Sequence, residues 1–369
     1  MAPVRRLPTN ALSLRTDWFS QCVGASAPSS VSIESGLACQ IQKVSIMDPS
    51  TLRFIFVGGA PRSGTTLVQK ILDMHSMIYG GPEFDHLPAL MRQCALMMNG
   101  ISNNRQAYYY EKGYLTDAFG LFVRTLFSQK ADKEGVNIIS EKTPDNVLVF
   151  ELLATIFPDA KFVFVVRDPR AILNSFINVK KRYLSSGIKQ RVNIGEDIFD
   201  DLVKIHKSLR AGDDFLARYP EKGTVIYYED LVKTPELEVE RICNFIDVPY
   251  EAGMLDTTTQ NDSSLLIQKR QLTEAPFVTD LFDKRIDETA ANSWEDDLSA
   301  AQKIVASHFF LRHPLRCLTR YSFELAGPLG RSRFWSIFIR KRISDCVFAL
   351  RTGVGRVRRM RYWIAGIDA

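Results

Sequence analysis

Residues Phe54 to Thr66 read F-I-F-V-G-G-A-P-R-S-G-T-T, and this stretch decides the fold. Its first four residues are apolar and β-prone, which is typical of a strand that is buried on both faces. Gly58, Gly59 and Gly64 then allow tight backbone torsions, and a run of helix-forming residues begins after Thr66. A glycine-rich turn from a buried strand into a helix directs several free N–H groups at one point. The stretch therefore predicts an anion site, with phosphate as the expected ligand.

The spacing of Gly59 and Gly64 is that of a nucleotide P-loop, but Thr65 stands where the P-loop has its lysine. Because that lysine contacts the β- and γ-phosphates, its absence argues against ATP or GTP. The cation here is Arg62, which lies inside the loop together with the hydroxyl groups of Ser63, Thr65 and Thr66. This set suits a terminal phosphosulfate, whose lower charge does not require a metal. The alternative is a tight turn without a ligand, which would need neither the arginine nor the hydroxyls.

The length and composition are those of a globular enzyme with one large domain or two smaller ones. The chain has 369 residues, of which 46% are apolar and 24% are charged. The net charge of +5 is unevenly distributed, since residues 312–369 contain 13 lysines and arginines against 3 acidic residues. A basic tail on a mildly acidic body indicates an interaction surface. We expect an anionic membrane surface as its partner, and no nucleic acid.

Neither metal binding nor a membrane span is indicated by the sequence. The six cysteines are not spaced like zinc ligands, and we predict no metal. No run reaches the ~18 apolar residues of a spanning helix, and no apolar segment follows Arg5 and Arg6 as in a signal peptide. These features favour a cytoplasmic protein by default.

Strand and helix patterns alternate after the loop, which predicts an α/β fold with a central parallel sheet flanked by helices. We predict further strands at Ile78–Tyr79, Asn137–Ser140, Lys161–Val166 and Val225–Tyr228. Predicted helices include 87–98, 115–130, a helix capped by Thr143 that runs from Pro144 to Phe157, and one that starts at Thr234-Pro235. Three regions result: a poorly ordered extension at 1–50, a single main domain at 51–311, and a basic helical tail at 312–369, whose residues Phe334 to Leu350 form an amphipathic helix.

Polar residues follow several of these strands, at the sheet edge where open α/β folds bind ligands. Lys142 lies between a strand and a helix start, and Glu83 lies in an irregular loop after Gly-Gly-Pro. Arg167 ends a strand, and Ser175 lies two turns into the next helix, so both could reach one anion. Glu83 is the carboxylate whose loop placement suits a general base on a hydroxyl group. Each of these residues also has a structural interpretation, as a solvated surface charge or a helix-start ion pair.

Four segments together resemble the sulfotransferases that use 3′-phosphoadenosine 5′-phosphosulfate (PAPS). P-R-S-G-T-T resembles their 5′-phosphosulfate loop, which implies that residues 62–66 bind this group. R-D-P-R-A-I-L-N-S, from Arg167 to Ser175, resembles their 3′-phosphate motif. Y-Y-E-D-L is similar to the segment whose tyrosine, here Tyr228, contacts adenine, and Trp294 matches a tryptophan after the nucleotide-covering loop. Thr279 and Lys284 are the nearest matches to the serine and lysine of that loop.

Within this family, the chain is most similar to the tyrosylprotein sulfotransferases. The resemblance implies that Glu83 is the catalytic base and that Lys142, in E-K-T-P, stabilises the leaving phosphate together with Arg62. It also implies a protein tyrosine as acceptor. If the resemblance extends to the compartment, it implies the Golgi lumen instead of the cytoplasm. The chain departs from the pattern where Asp85 and Ala89 replace arginines, and where Gly80 and Ser140 replace the cysteines of a disulfide.

Three alternatives stay open at this stage. A sulfotransferase for carbohydrates or small hydroxyl compounds would share every cofactor residue. A P-loop nucleotide-binding protein or kinase would need the lysine and the Walker-B acid that the pattern lacks. A non-catalytic module would not need Glu83, Lys142 and Arg62 together. The cluster Tyr108-Tyr109-Tyr110 could line an acceptor cleft or belong to the surface.

Overall fold

A computed structural model describes residues 48–185, 194–195, 197–257, 286, 288–323 and 336 of the chain. Most of the predicted N-terminal extension therefore lies outside the described residues. The same holds for Thr279 and Lys284, and for the tail helix predicted from Phe334 to Leu350, of which only residue 336 is described.

Five parallel strands form one sheet in the order β2-β3-β1-β4-β5. The strands are β1 (Arg53–Gly59), β2 (Ile78–Gly80), β3 (Ile138–Lys142), β4 (Lys161–Val166) and β5 (Gly223–Tyr227). Every residue of β1 from Phe54 onward is buried, as expected for a strand covered on both faces. The short strand β2 lies at one edge, as predicted. The predicted α/β fold with a central parallel sheet is confirmed.

Helices connect these strands and cover both faces of the sheet. They are α1 (Thr65–Asp73), α2 (Leu87–Ser102), α3 (Lys112–Glu134), α4 (Phe150–Ile156), α5 (Pro169–Ser185), α6 (Ile198–Arg218), α7 (Tyr228–Lys233), α8 (Pro235–Ile246) and α9 (Ala300–Arg312). Single helical turns lie at Thr289–Asn292 and Trp294–Asp297. Within the described part of the chain, no helix is long and apolar enough to span a bilayer.

The two faces of β1 contribute to different parts of the core because side chains alternate along a strand. Phe54 and Phe56 join an aromatic-rich cluster with buried side chains of α3, α4 and α6. Ile55 and Val57 join an aliphatic cluster with α1 and α8. Gly212 lets α6 approach the sheet closely, since an added Cβ would lie 2.4 Å from a ring carbon of Phe164.

The segment after β3 differs from the single helix predicted from Pro144 to Phe157. A 3₁₀-helix, Pro144–Val149, comes first, and α4 follows it. Thr143 does occupy the N-cap position of this helix, with Pro144 in its first turn, but its hydroxyl donates to the Glu141 carboxylate at 2.8 Å and makes no cap hydrogen bond. Asn146 donates its side-chain amide to the same carboxylate at 2.5 Å. These two side chains fold the first turn around Glu141 instead of capping a regular α-helix.

The chain continues to pack on the sheet and its helices beyond residue 311. Cys317 and Leu318 are buried, and Asp213 on α6 accepts hydrogen bonds from the backbone N–H groups of Arg316 and Cys317, both at 3.0 Å. Tyr321 donates its hydroxyl to Glu229 at 2.7 Å. The packed segment therefore includes the first residues of the region assigned to the basic tail.

Candidate active site

The loop between β1 and α1 has the backbone shape that its glycines predict. Gly64 has a φ of 106° and Arg62 has a φ of 72°, so both lie in the left-handed region. A Cβ on Gly64 would lie 2.4 Å from the Tyr228 ring, so the absence of a side chain here also leaves room for that ring. The amides of Thr65 and Thr66 begin α1 and have no acceptor within the helix. They are therefore directed at the position where a helix N-terminus binds an anion.

Four of the residues predicted to bind the nucleotide, Arg62, Arg167, Ser175 and Tyr228, lie together near the ends of β4 and β5. Arg62 donates from Nε to the Ser175 hydroxyl at 3.1 Å, and Arg167 donates from Nη1 to the Arg62 carbonyl at 3.2 Å. The Arg167 guanidinium lies 4.3 Å from the centroid of the Tyr228 ring. Arg167 and Tyr228 are neighbours because Val166 pairs with Tyr227 in the sheet.

This cluster is positively charged and fits an anionic ligand. Burial, followed by the charges of Arg182 and Arg167, lowers the pKa of Arg62 to about 10. Among the described residues, the Ser63 hydroxyl and Nε of Arg167 are buried without a hydrogen-bond partner. Buried polar groups are nearly always hydrogen-bonded in proteins. Both groups can donate, so they fit a ligand that offers negatively charged acceptor oxygens.

We call the loop between β1 and α1, residues 60–64, together with the first two residues of α1, the anion loop. Lys142 connects the anion loop to Glu83. It ends β3 opposite Val57, which precedes the glycines of the loop. Its ammonium group donates to the Thr66 hydroxyl at 3.3 Å and forms an ion pair with the Glu83 carboxylate. The Lys142 side chain is 5% exposed and that of Glu83 is 40% exposed, so solvent reaches the carboxylate but hardly the ammonium. The structure thus brings a cation, a carboxylate and the helix N-terminus together.

Asp168 and Arg170 support the site without entering it. The Asp168 carboxylate accepts the backbone N–H of Arg170 at 2.8 Å and pairs with its guanidinium at 2.6 Å. Arg170 lies 4.0 Å from the ring of Trp294, which is buried. Trp294, which matches a tryptophan after the nucleotide-covering loop of the family, is thus a buried residue packed against α5.

Two buried polar side chains next to the site escaped the sequence analysis, namely those of Gln69 on α1 and Glu141 on β3. Both side chains are buried and bind the loop that carries Glu83. Burial raises the pKa of Glu141 to about 7, although hydrogen bonds from Asn146, Thr143 and Phe84 oppose the shift. A charged residue inside a short, fully buried strand was the available signal, since such a carboxylate must be hydrogen-bonded.

An apolar cleft of about 390 Å³ lies between α2 and α3. Its lining consists of Leu90, Met97, Tyr110, Tyr114, Leu115, Ala118, Phe119 and Phe122. Tyr108 and Tyr109 are 90% and 76% exposed, so the surface interpretation holds for these two tyrosines. Among the described residues, no cluster of His, Cys, Asp or Glu side chains is arranged to hold a metal ion.

Comparison with known proteins identifies the class. Residues 55–252 match the model of the sulfotransferase family, which covers more than half of the chain. The chain therefore belongs to the sulfotransferase family, and it is an enzyme of the type that transfers a sulfuryl group.

Several relatives within this family are named protein-tyrosine sulfotransferases. The chain is 28% identical to a putative protein-tyrosine sulfotransferase of Caenorhabditis briggsae over 249 residues, which cover 67% of this chain and 82% of that protein. It is 27% identical to protein-tyrosine sulfotransferase 1 of Danio rerio over 206 residues, which cover 54% of this chain and 55% of that protein. Among solved structures, it is similar to the sulfotransferase domain from the curacin biosynthetic pathway, with 20% identity, a TM-score of 0.48, and coverage of 72% of this chain and 98% of that chain.

Proposed function

We propose that this enzyme transfers the sulfuryl group of PAPS to the phenolic oxygen of a tyrosine in a peptide or protein. The observation that carries the proposal is the Lys142 ammonium, which joins Glu83 to Thr66 at the start of α1. A carboxylate that can take a proton thus lies beside a cation and an anion-binding helix end. The relatives named protein-tyrosine sulfotransferases support tyrosine as the acceptor.

The proposed reaction is an in-line displacement at sulfur. The phenolic oxygen bonds to sulfur while the bond between sulfur and the bridging phosphate oxygen breaks, which leaves 3′,5′-ADP and tyrosine O-sulfate. The phenol proton passes to Glu83, which acts as a general base. As in phosphoryl transfer, the main demands are alignment and neutralisation of charge on the leaving oxygen. Lys142 and Arg62 supply that positive charge.

We assign the parts of PAPS to the clusters around the loop. Residues 62–66 hold the 5′-phosphosulfate, with the Ser63 hydroxyl as one unsatisfied donor. Arg167 and Ser175 hold the 3′-phosphate, and Nε of Arg167 is the second unsatisfied donor. Tyr228, whose ring lies against the loop and Arg167, contacts adenine. Thr279 and Lys284 stay predictions as residues of the covering loop.

The charges near Glu83 suggest which tyrosines are accepted. A phenol, with a pKa near 10, loses its proton to a carboxylate more readily than an alcohol does. Asp85 is exposed two residues from Glu83 and would repel acidic residues that flank the tyrosine. Lys180, Lys181 and Arg182 on α5 would offset this repulsion only if they reached the acidic residues. We therefore expect tyrosines in less acidic sequences to be preferred.

Labelled PAPS tests the acceptor. The enzyme would be incubated with tyrosine peptides of graded acidity, oligosaccharides and small phenols at one PAPS concentration. We expect label on the tyrosine peptides, with more on the less acidic ones. Label on sugars alone would contradict the tyrosine acceptor and leave sulfuryl transfer intact.

Thermal unfolding tests the donor independently of any acceptor. A ligand that binds only the folded state raises the apparent stability of the protein. We expect 3′,5′-ADP to raise the melting temperature and ATP with Mg²⁺ to leave it unchanged. Equal increases with both nucleotides would contradict PAPS as the donor.

A further inference from the structure

The loop that carries Glu83 is attached at its beginning by the buried side chain of Gln69. The Gln69 amide donates one N–H to the Gly81 carbonyl at 3.1 Å and another to the Ser140 carbonyl at 2.8 Å. Its oxygen accepts the Ser140 hydroxyl at 2.6 Å. Gln69 is 4% exposed, and it satisfies all of these groups away from water. The start of the loop is therefore fixed to both α1 and β3.

The end of the same loop is attached by the buried carboxylate of Glu141. One carboxylate oxygen accepts the backbone N–H of Phe84 at 3.2 Å and the Thr143 hydroxyl at 2.8 Å. The other oxygen accepts the Asn146 amide at 2.5 Å. Because Phe84 directly follows Glu83 in the chain, Glu141 holds the backbone next to the proposed base.

The Glu83 side chain itself receives little support from packing. It is 40% exposed, and its contact within the site is the ion pair with Lys142. A carboxylate must lie within hydrogen-bond reach of the proton that it removes, so its backbone must be placed accurately. An error of about 1 Å in such a position can lower a rate by about 10²-fold. The two attachments are therefore in the right place to set the geometry of the base.

We propose that Gln69 and Glu141 are positioning residues that hold the loop from Gly81 to Phe84 so that Glu83 can remove the acceptor proton. This inference rests on the proposed role of Glu83 as the base. Both side chains act through backbone groups of the loop, which distinguishes them from catalytic residues that touch the substrate. Sulfotransfer would thus depend on two buried polar side chains that lie behind the reacting atoms.

A different role for Glu141 can be separated from this one by experiment. As a carboxylate beside Lys142, it could act through its negative charge instead of its acceptor oxygen. Glutamine at this position removes the charge but keeps an oxygen for the Phe84 N–H. Rotation of the Asn146 amide would turn its buried, unpartnered Oδ1 toward the new NH₂ group, at the loss of the weak 3.5 Å hydrogen bond from Nδ2 to the Val57 carbonyl. Methionine removes the acceptor with a similar side-chain length.

The test compares Glu141→Met, Glu141→Gln and the control Asp213→Leu. Asp213 is a buried carboxylate that also accepts backbone N–H groups, but it binds the chain at Arg316 and Cys317. The measurements are kcat and KM with a labelled tyrosine peptide, the Kd of 3′,5′-ADP, and amide hydrogen exchange of residues 81–86. For Glu141→Met we expect kcat to fall about 10–100-fold, with faster exchange at 81–86 and an unchanged Kd. Glu141→Gln and Asp213→Leu should keep kcat within about threefold and leave exchange at 81–86 unchanged.

Two results would overturn the proposal. In the first, Glu141→Met keeps the kcat and the exchange rates of the unmodified enzyme. In the second, Glu141→Gln is as impaired as Glu141→Met, which would assign the effect to charge. Glu83→Ala, measured in parallel, separates these failures from failure of the proposed function. If Glu83→Ala turns over normally, the base itself is misassigned, whereas an inactive Glu83→Ala with normal Glu141→Met refutes only the positioning role.

Gln69→Met provides a second test should Glu141→Met fail to fold. This change removes the amide that binds the Gly81 carbonyl and leaves the Glu141 contacts in place. We expect faster exchange at residues 81–86 and a lower kcat, again with an unchanged Kd for 3′,5′-ADP. Unaltered exchange and kcat in Gln69→Met would overturn the proposal as well.

Discussion

The site has two halves, on either side of the central strand β1, and they are built differently. On the side of β4 and β5, Arg167 directly follows β4, Ser175 lies on α5 and Tyr228 begins α7, and these residues contact the anion loop or one another directly. On the side of β3 and β2, Glu83 lies in an irregular loop, with Lys142 as its link to α1. The first half is placed by secondary structure. The second half is placed by polar contacts between segments that are distant in sequence.

This difference implies that nucleotide binding and turnover respond to different substitutions. Changes in the β4–β5 half should weaken binding of 3′,5′-ADP, because the proposed 3′-phosphate and adenine contacts lie there. Changes in the β3–β2 half should lower kcat at nearly constant nucleotide affinity. The anion loop between them belongs to both halves.

The largest expected effect is that of Glu83→Ala. Loss of a general base should lower kcat by roughly 10²–10⁴-fold, because the phenol must then lose its proton to water. The Kd of 3′,5′-ADP should stay the same. Steady-state assays with labelled PAPS and a tyrosine peptide, together with calorimetric titration of 3′,5′-ADP, measure the two quantities. The control is Glu221→Ala, which removes an exposed glutamate from the turn before β5. Near-normal turnover of Glu83→Ala would place the base elsewhere.

Arg167→Ala should have the opposite profile. A hydrogen bond to a charged group contributes about 1.5–3 kcal/mol, so the affinity for 3′,5′-ADP should fall about 10–150-fold. At saturating PAPS, kcat should change little. Lys207→Ala is the matched control, since it removes an exposed cation from α6. If Arg167→Ala lowered kcat and left nucleotide affinity unchanged, the division of the site into two halves would be wrong.

Gly64→Ala should affect both halves, because it alters the loop that they share. At a φ of 106°, alanine is strained by about 1–3 kcal/mol, and its Cβ would also meet the Tyr228 ring at 2.4 Å. We expect lower unfolding free energy and weaker 3′,5′-ADP binding. Gly135→Ala separates the two causes, since Gly135 has a φ of 70° but an added Cβ would have no neighbour within 4 Å. The control should lose stability alone, and equal stability losses in both variants would rule out the steric contribution from Tyr228.

The sequence predicts the β1 loop and the nucleotide half well because their signals are local. The apolar run, the glycines and Arg62 lie within thirteen consecutive residues, and Arg167 and Ser175 are eight apart on one strand end and helix. Glu141 offers only a charge within a buried strand and Gln69 offers no signal, since their partners Phe84 and Ser140 lie 57 and 71 residues away in the chain. Their importance follows from the register of the sheet, which hydrophobic patterns do not specify.

The same limit explains the errors in predicted local structure. Thr143 and Pro144 have the pattern of a helix start. However, the side chains of Thr143 and Asn146 donate hydrogen bonds to the buried Glu141 carboxylate, and the first turns form a 3₁₀-helix. The spacing of Leu115, Phe119, Phe122, Val123 and Leu126 predicts one apolar face for α3, but Phe122 and Leu126 are 49% and 47% exposed. The face that packs instead includes Gly120, whose added Cβ would lie 3.3 Å from Ile156. Close approach of two elements selects small residues, and an apolar pattern does not reveal this.

The smallest expected effect concerns the pH dependence of stability in Glu141→Gln. Burial raises the folded-state pKa of Glu141 to about 7, above its ordinary value of 4.5. Between these two pH values the folded protein therefore binds more protons at this carboxyl group than the unfolded chain does. It follows that the contribution of Glu141 to stability decreases as the pH rises through this window. Glutamine does not titrate, so the variant lacks this loss.

The stability difference between Glu141→Gln and the unmodified protein isolates this contribution, because titrations elsewhere occur in both proteins and cancel. Rotation of the Asn146 amide adds a constant offset, which does not depend on pH. From pH 5 to pH 8, the difference should shift in favour of the variant by on the order of 1–3 kcal/mol. Lys142, the charged neighbour that lowers the pKa of Glu141, is common to both proteins. Urea unfolding at several pH values measures the difference. Parallel stability curves would show that Glu141 titrates normally and that its carboxylate is not sealed from water.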